Sequence, residues 1–266
     1  MLDIVLYQFD LEKIANSGQC FRIEKIEENS FLLIALQKVL HIEYLGSNYY
    51  RFYCNEDDFY STWYEYFDLG TDYTEYSTAI DDKDTFLKAV ANTASGIRIL
   101  KQDPWEMIVS FIISQRKSIP AIKKCIQALC ELCGTEIDDH IFTFPTPEKV
   151  AQLSIEELNS CGLGYRSKYI LNTAQKIINE HIDLCSFASL SDEDLLEQLQ
   201  RFSGVGVKVA NCIMLFAYHR ISAFPVDVWI QRILDKEYNG TFPIERYKGF
   251  AGILQQYMFY HAIQNK

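Results

Sequence analysis

The chain has 266 residues, enough to bury a substantial core in two or three compact units. Its formal net charge of −11 excludes a uniformly basic surface, but the acidity is uneven: residues 1–90 carry 17 acidic against 7 basic side chains, a net of −10, and the remaining 19 and 18 leave −1. No hydrophobic run reaches the roughly 18 residues of a membrane span, so no membrane partner is expected.

In chain order, the N-terminus Met1-Leu-Asp-Ile-Val-Leu-Tyr-Gln-Phe-Asp10 lacks the basic start and cleavage pattern of a signal peptide, and an intracellular protein is expected. The eight cysteines then read as free thiols. Residues 30–36, 39–44 and 49–54 are rich in β-branched and aromatic side chains and predict successive strands, with Gly46-Ser-Asn48 as a hairpin turn. Past about residue 80 the signals are helical. Asp103-Pro104 is an N-cap followed by proline at the first helical position, and Thr146-Pro147 repeats the device. Cys125, Cys130 and Cys133 form a C-x4-C-x2-C cluster; the spacing fits one apolar helix face better than a metal site, because no partner pair follows at a ligand-like interval. Ser154-Ile-Glu-Glu157 fits a capping box, and Gly134, Gly162 and Gly204 mark helix ends. The expected fold is α+β: an antiparallel sheet with helices over residues 1–90, then a helical region over 91–266 with a cleft that holds the site.

The chemistry concentrates in Leu199-Gln-Arg-Phe-Ser-Gly-Val-Gly-Val-Lys-Val-Ala210 and in Phe224-Pro-Val-Asp-Val-Trp229. A helix over about 191–201, a hairpin and a second helix are predicted. Gly204 and Gly206 free the backbone for positive φ and for close approach to a ligand, and their N–H groups can face an anion. Val207, Val209, Ala210, Ile213, Met214 and Phe216 cover most of the second helix and predict burial on several sides. Lys208 in its first turn is opposed by the helix dipole, and burial with the dipole favours the neutral, nucleophilic amine. A solvated lysine after a capping glycine fits the same spacing equally well. Asp227 fits an N-cap for a helix over 228–235, and a capping carboxylate could also stabilise positive charge developing on a sugar ring.

These residues resemble the helix-hairpin-helix superfamily of base-excision DNA glycosylases, and within it the 8-oxoguanine DNA glycosylase/abasic-site lyases. Five segments match in order: Asn16-Ser-Gly-Gln-Cys-Phe-Arg22; Asp103-Pro-Trp-Glu with Ser110-Phe-Ile-Ile-Ser114; Gly162-Leu-Gly-Tyr-Arg166; the Lys208/Asp227 block; and Phe250-Ala-Gly-Ile-Leu-Gln-Gln-Tyr-Met-Phe259. The resemblance implies Lys208 as nucleophile and Asp227 as its essential carboxylate, with a Schiff base that permits β-elimination. It implies that Gly18 accepts the extra imidazole-ring hydrogen of the oxidised base, that Gln255 reads the pairing edge, and that Phe259 and Cys212 sandwich the flipped base. It further implies DNA contacts by Tyr165, which wedges into the duplex, by Arg166, which touches the estranged base, and by the Gly204, Gly206 and Val207 hairpin. Taken singly, Gly18 also fits an ordinary turn, Phe259 a core aromatic, Cys212 a small buried residue and the 162–166 segment a plain loop.

Some positions depart from animal relatives. Arg116 stands where an asparagine fills the vacated space in the duplex, Ala121 where an arginine contacts the opposite cytosine, and Trp229 where a histidine stands. An alanine cannot make the cytosine contact, so a relaxed opposite-base preference is expected. The implied partner is duplex DNA containing oxidised guanine, bound by a monomer. No cofactor is expected: no cysteine follows Cys212, which leaves no ligands for the iron–sulfur cluster of some superfamily members. The resemblance does imply a monovalent cation between hairpin carbonyls and a DNA phosphate. A glycosylase for another damaged purine and a non-catalytic DNA-binding module are the competing readings; Lys208 argues against both.

Overall fold

The computed structural model describes residues 1–265; Lys266, the last residue of the expected helical region, lies outside them. A five-stranded sheet has the order β1-β5-β4-β3-β2, from β1 (Leu2–Val5), β2 (Ile23–Glu27), β3 (Ser30–Ala35), β4 (Lys38–Gly46) and β5 (Tyr49–Phe52). Strands β2 to β5 form a meander, and β1 joins antiparallel beside β5, with Leu2 opposite Phe52 and Val5 opposite Tyr49. The predicted turn between β4 and β5 is present, with Ser47 and Asn48 both at positive φ, the backbone that matches the sheet's twist. Strands β1 and β2 escaped the sequence reading for a physical reason. Each is short, and β2 buries only Ile23 while its other four residues are exposed, so no apolar alternation marks it.

The chain forms two compact units. One comprises residues 1–32, 40–101 and 219–266; the other comprises 33–39 and 102–218. They do not follow the contiguous 1–90 and 91–266 division, because after Tyr218 the chain returns to the first unit. There the helix Ala251–Gln264 packs on the helices Thr85–Ala94 and Val228–Glu237.

In the first unit an aromatic core of Phe9, Tyr50, Phe52, Phe59 and Phe67 makes edge-to-face contacts at centroid distances of 4.9–6.1 Å. Trp63 and Tyr66, nearly inaccessible, extend it. Asp68 is buried at 4% exposure and gathers Lys101 at 3.1 Å, His219 at 3.3 Å and the Tyr73 hydroxyl at 3.0 Å.

The second unit is built around the helix Pro104–Ser114, buried from Trp105 to Ile113. Asp103 caps it by accepting from Glu106 N–H at 2.8 Å, with Pro104 at its start, as expected. Phe111 on this helix stacks on Phe216 at 5.5 Å. The caps at Thr146 and Ser154 also form as expected. A small ribbon, Glu136–Asp138 with Ile141–Phe142, was not anticipated, since it is very short and none of its residues is buried. Gly134 ends the helix Ile119–Cys133 in an extended backbone rather than a left-handed one; a Cβ there would meet the Cys130 and Thr143 carbonyl oxygens at 2.4 Å. None of the eight cysteines is in a disulfide, and among the described residues no group of three or more His, Cys, Asp or Glu could hold a metal ion. No helix among them is long and apolar enough to cross a membrane.

Candidate active site

The hairpin lies between the helices Asp192–Gln200 and Val207–Phe216. Its two glycines have different backbones, which corrects the sequence reading. Gly204 takes φ +81°, whereas Gly206 is the N-cap of the second helix with φ −92° and ψ −179°, an extended conformation. Val207 departs from expectation too. It is 58% exposed, since the first turn of the helix projects beyond its neighbours, while Val209, Ala210, Ile213, Met214 and Phe216 are buried. Lys208 is half-buried in that first turn, its ammonium 5.8 Å from the centroid of the Phe111 ring. The aromatic face stabilises the protonated form while the helix N-terminus opposes it. Cys212 lies four residues on, hence on the same helix face, and is buried.

Two further turns of this unit flank the hairpin. Arg116 follows the Pro104 helix, exposed, with φ +54°, a left-handed conformation uncommon for an arginine. Tyr165 is 52% exposed at the start of the helix Arg166–Asn179, reached through positive-φ Gly162 and Gly164. Arg166 is buried at 6% exposure, its Nη1 donating to the Leu163 carbonyl at 3.2 Å and its Nη2 to the Gln115 carbonyl, with its plane over Tyr165 at 4.4 Å. The guanidinium holds the turn together. Gln115, which no motif flagged, also donates from its side chain to the Gly204 carbonyl at 2.9 Å. Ala121 lies half-buried on the helix Ile119–Cys133.

The first unit holds the other residues. Asp227 Oδ1 accepts from the Trp229 and Ile230 N–H groups, each at 2.9 Å, so the carboxylate is fixed as the N-cap of Val228–Glu237. Val226 and Val228 beside it are 38% and 67% exposed. Trp229 is half-buried, with the Arg232 guanidinium 4.9 Å from its ring.

Gly18 takes φ +74° in a turn braced from both sides. Ser17 Oγ donates to the Ile14 carbonyl at 2.7 Å, and Gln19 Nε2 donates to Ser17 Oγ and to the Arg98 carbonyl, each at 2.9 Å. Gln256 Nε2 donates to the Ser17 carbonyl at 2.7 Å, tying this turn to the helix Ala251–Gln264. On the same helix Gln255 is 4% exposed, and its Oε1 is buried without a hydrogen-bond partner. Phe259, half-buried, follows at the i+4 position on that face. The structure thus brings Gly18, Gln255 and Phe259 together on one unit, and Lys208, Cys212 and the flanking turns on the other. Neither Gln256 nor Gln19 is assigned a role by the sequence, because their partners, the Ser17 carbonyl for Gln256 and the Arg98 carbonyl for Gln19, lie far along the chain and leave no local signal.

An unpaired buried acceptor costs about 1–3 kcal/mol of desolvation, a cost that a hydrogen-bond donor brought to Gln255 Oε1 would relieve. Residues 1–108 match the family described as the 8-oxoguanine DNA glycosylase N-terminal domain, and residues 109–241 match the HhH-GPD superfamily base excision DNA repair protein. A protein of Methanothermobacter thermautotrophicus described as a "Probable N-glycosylase/DNA lyase" is 33% identical over 228 residues, 74% of this chain and 72% of its own. A solved structure of MBOgg1 in complex with a low-affinity DNA ligand has a TM-score of 0.92 and 35% identity, over 98% of this chain and 94% of that one. The Clostridium acetobutylicum 8-oxoguanine glycosylase/lyase, in complex with duplex DNA containing cytosine opposite 8-oxoguanine, has a TM-score of 0.91 and 36% identity, over 97% and 93%. The chain belongs to the HhH-GPD superfamily of base excision DNA repair proteins, with the N-terminal domain of the 8-oxoguanine DNA glycosylases.

Proposed function

We propose that this protein is a bifunctional DNA glycosylase and abasic-site lyase that excises 8-oxoguanine from duplex DNA. The observation that carries the reading is the buried, unpaired Oε1 of Gln255, on a helix tied to the Gly18 turn. A flipped base offers donors on its pairing edge to Gln255, and 8-oxoguanine alone offers N7–H to the Gly18 carbonyl. Ordinary guanine presents a lone pair there, and the carbonyl repels it.

Lys208 attacks the anomeric carbon through its amine nitrogen; the C1′–N9 bond breaks, its electron pair leaves with the base, and the base takes the proton that the amine gives up. Asp227, its carboxylate held by two backbone N–H groups, stabilises the positive charge that develops on the sugar. The ring oxygen then departs from C1′ with the bond's electron pair, takes a proton from water to become the C4′ hydroxyl, and leaves a Schiff base on Lys208. Loss of a C2′ proton expels the 3′ phosphate by β-elimination, and water releases the lysine. Phe259 and Cys212 enclose the base, Tyr165 and Arg116 occupy the duplex where it left, and Arg166, held beside Tyr165 by its two carbonyl partners, meets the estranged base from that turn. The Gly204–Val207 hairpin contacts the backbone, and Trp229 is placed beside Asp227 to meet the DNA near the pocket.

Amine and carboxylate suffice for these steps, and no cofactor is required. A monovalent cation suits the hairpin: the Gly204 carbonyl accepts from Gln115, but a carbonyl has a second lone pair. The enzyme acts as a monomer, in the intracellular compartment where its substrate lies.

Borohydride trapping tests the reading. A duplex with one 8-oxoguanine opposite cytosine yields a covalent adduct with the wild type, none with Lys208→Gln, and none when the guanine is undamaged. Absence of a wild-type adduct, with DNA binding retained, would point to a water-using glycosylase. Because Ala121 offers no donor to the opposite base, excision rates opposite the four bases should agree within about one order of magnitude, where a lost charged hydrogen bond is worth about 2 kcal/mol. A strong cytosine preference in single-turnover assays would sink that part.

A further inference from the structure

We infer that Gln115 is a positioning residue that locks the hairpin presenting Lys208 to the turn carrying Tyr165; this rests on the reading of both as DNA-facing. Three turns of the second unit converge on it. Its Nε2 donates to the Gly204 carbonyl, 89 residues along the chain, at 2.9 Å. Its own carbonyl accepts from Arg166 Nη2, and that guanidinium lies against Tyr165. Beside it, Lys117 Nζ donates to the Gly162 carbonyl at 3.0 Å, fastening the same turn to the start of the Tyr165 loop.

The geometry is particular. Gln115 caps the Pro104 helix with φ −57° and ψ 118°, which turns the backbone away from helical geometry and points side chain and carbonyl to different neighbours. Arg116 then takes a positive φ, a conformation an arginine adopts only when the surroundings impose it. Arg166 Nε is buried without a partner, so two carbonyls, those of Gln115 and Leu163, hold the guanidinium in place. Gly204 is the left-handed residue that sets the hairpin, and its carbonyl faces Gln115. Any side chain at 115 keeps the backbone link to Arg166; only one with a terminal donor of this length makes the link to the hairpin. Gln115 needs no contact with DNA for this role. With the link intact, insertion of Tyr165 and presentation of Lys208 occur as one rigid movement, and the amine is aimed when the base leaves the stack.

The test is a double-mutant cycle on the full chain: wild type, Gln115→Met, Tyr165→Ala and the double variant, read by single-turnover excision of 8-oxoguanine opposite cytosine. Methionine matches glutamine in length but cannot donate, and melting curves of the variant should stay within about 2 °C of wild type, as for a half-exposed position. Gln115→Met should slow excision about five- to tenfold, the scale of one lost hydrogen bond. In the Tyr165→Ala background the same change should cost less than about twofold more, because no wedge remains to be coupled. An excision rate for Gln115→Met within twofold of wild type overturns the inference. So does a full, additive loss in both backgrounds, which marks a merely structural role. If Tyr165→Ala itself excises at the wild-type rate, the DNA-facing reading of that turn fails, and the coupling falls with it; a slow Tyr165→Ala with additive losses sinks the coupling alone.

Discussion

Gly204 and Gly206 look like one device in the sequence, and the fold gives them separate roles. A Cβ at Gly204 would meet the Tyr169 ring at 2.5 Å, on a backbone at φ +81°. Gly204→Ala should therefore destabilise the protein by about 2 kcal/mol, read as a shift in the urea midpoint with unchanged slope. At Gly206 the backbone is extended and nothing lies within 4 Å of a Cβ. Gly206→Ala should stay within about 0.5 kcal/mol of wild type in the same titration. It should nevertheless weaken DNA binding by about fivefold, since a methyl group would stand between the N–H groups and a phosphate. If both variants unfold alike, or if Gly206→Ala binds normally, the division of roles is wrong. What the sequence could carry here was the presence of glycine; which steric reason applies depends on Tyr169, 35 positions earlier, and on a surface with nothing nearby. Val207 and Arg166 repeat the lesson. Valine composition does not show that a helix end protrudes, and an arginine motif does not show that two carbonyls bury it.

At the scale of elements, local chemistry was the most legible. The caps at Asp103, Thr146 and Ser154 require only residues three positions apart, so reading them needed no knowledge of the fold. The Ser154 box is complete: Glu157 N–H donates to Ser154 Oγ at 3.1 Å, and Ser154 N–H donates to Glu157 Oε2 at 2.7 Å. Ser154→Ala should cost about 1 kcal/mol and speed amide exchange in the helix Ile155–Ser160, leaving borohydride trapping by Lys208 intact. Unchanged exchange there would mean that packing, not the cap, holds that helix. Elements stabilised from outside were harder to read. Strand β2 has a single buried residue, and its pairing within the sheet, not its own pattern, makes it a strand. The ribbon Glu136–Asp138 with Ile141–Phe142 rests on its backbone pairing, with Glu136 Oε1 accepting from the His140 N–H across the turn at 3.1 Å.

Across the whole molecule, the chain's course was the least legible, because nothing in residues 219–266 announces that they rejoin the first unit. Asp68 lies on that unit with Lys101 and His219, the residues that flank the two passages to and from 102–218. Burial pushes its carboxyl pKa up, but the His219 and Lys101 contacts outweigh burial and hold it at about 2, below the usual 3.8. A depressed carboxylate adds stability that is fully present above about pH 4 and is lost as the pH falls through 4 towards 2. The loss amounts to about 2 kcal/mol. Urea midpoints at pH 6 and pH 3 should therefore draw together for wild type and Asp68→Asn at the lower pH, with wild type ahead at pH 6. A constant gap would show that Asp68 acts by shape and not by charge.

The placement of the tryptophans has a practical corollary. Trp63 and Trp105 are buried at 0% and 6% exposure, whereas Trp229, two residues past Asp227, is half-buried beside Arg232. Collisional quenchers such as iodide reach an indole only through solvent, so the quenchable part of the tryptophan fluorescence, excited at the red edge where tyrosine does not absorb, comes from this one ring. The enzyme carries its own optical probe: docking of a duplex against Asp227 would shield Trp229 and make the emission resistant to quenching, with no label attached.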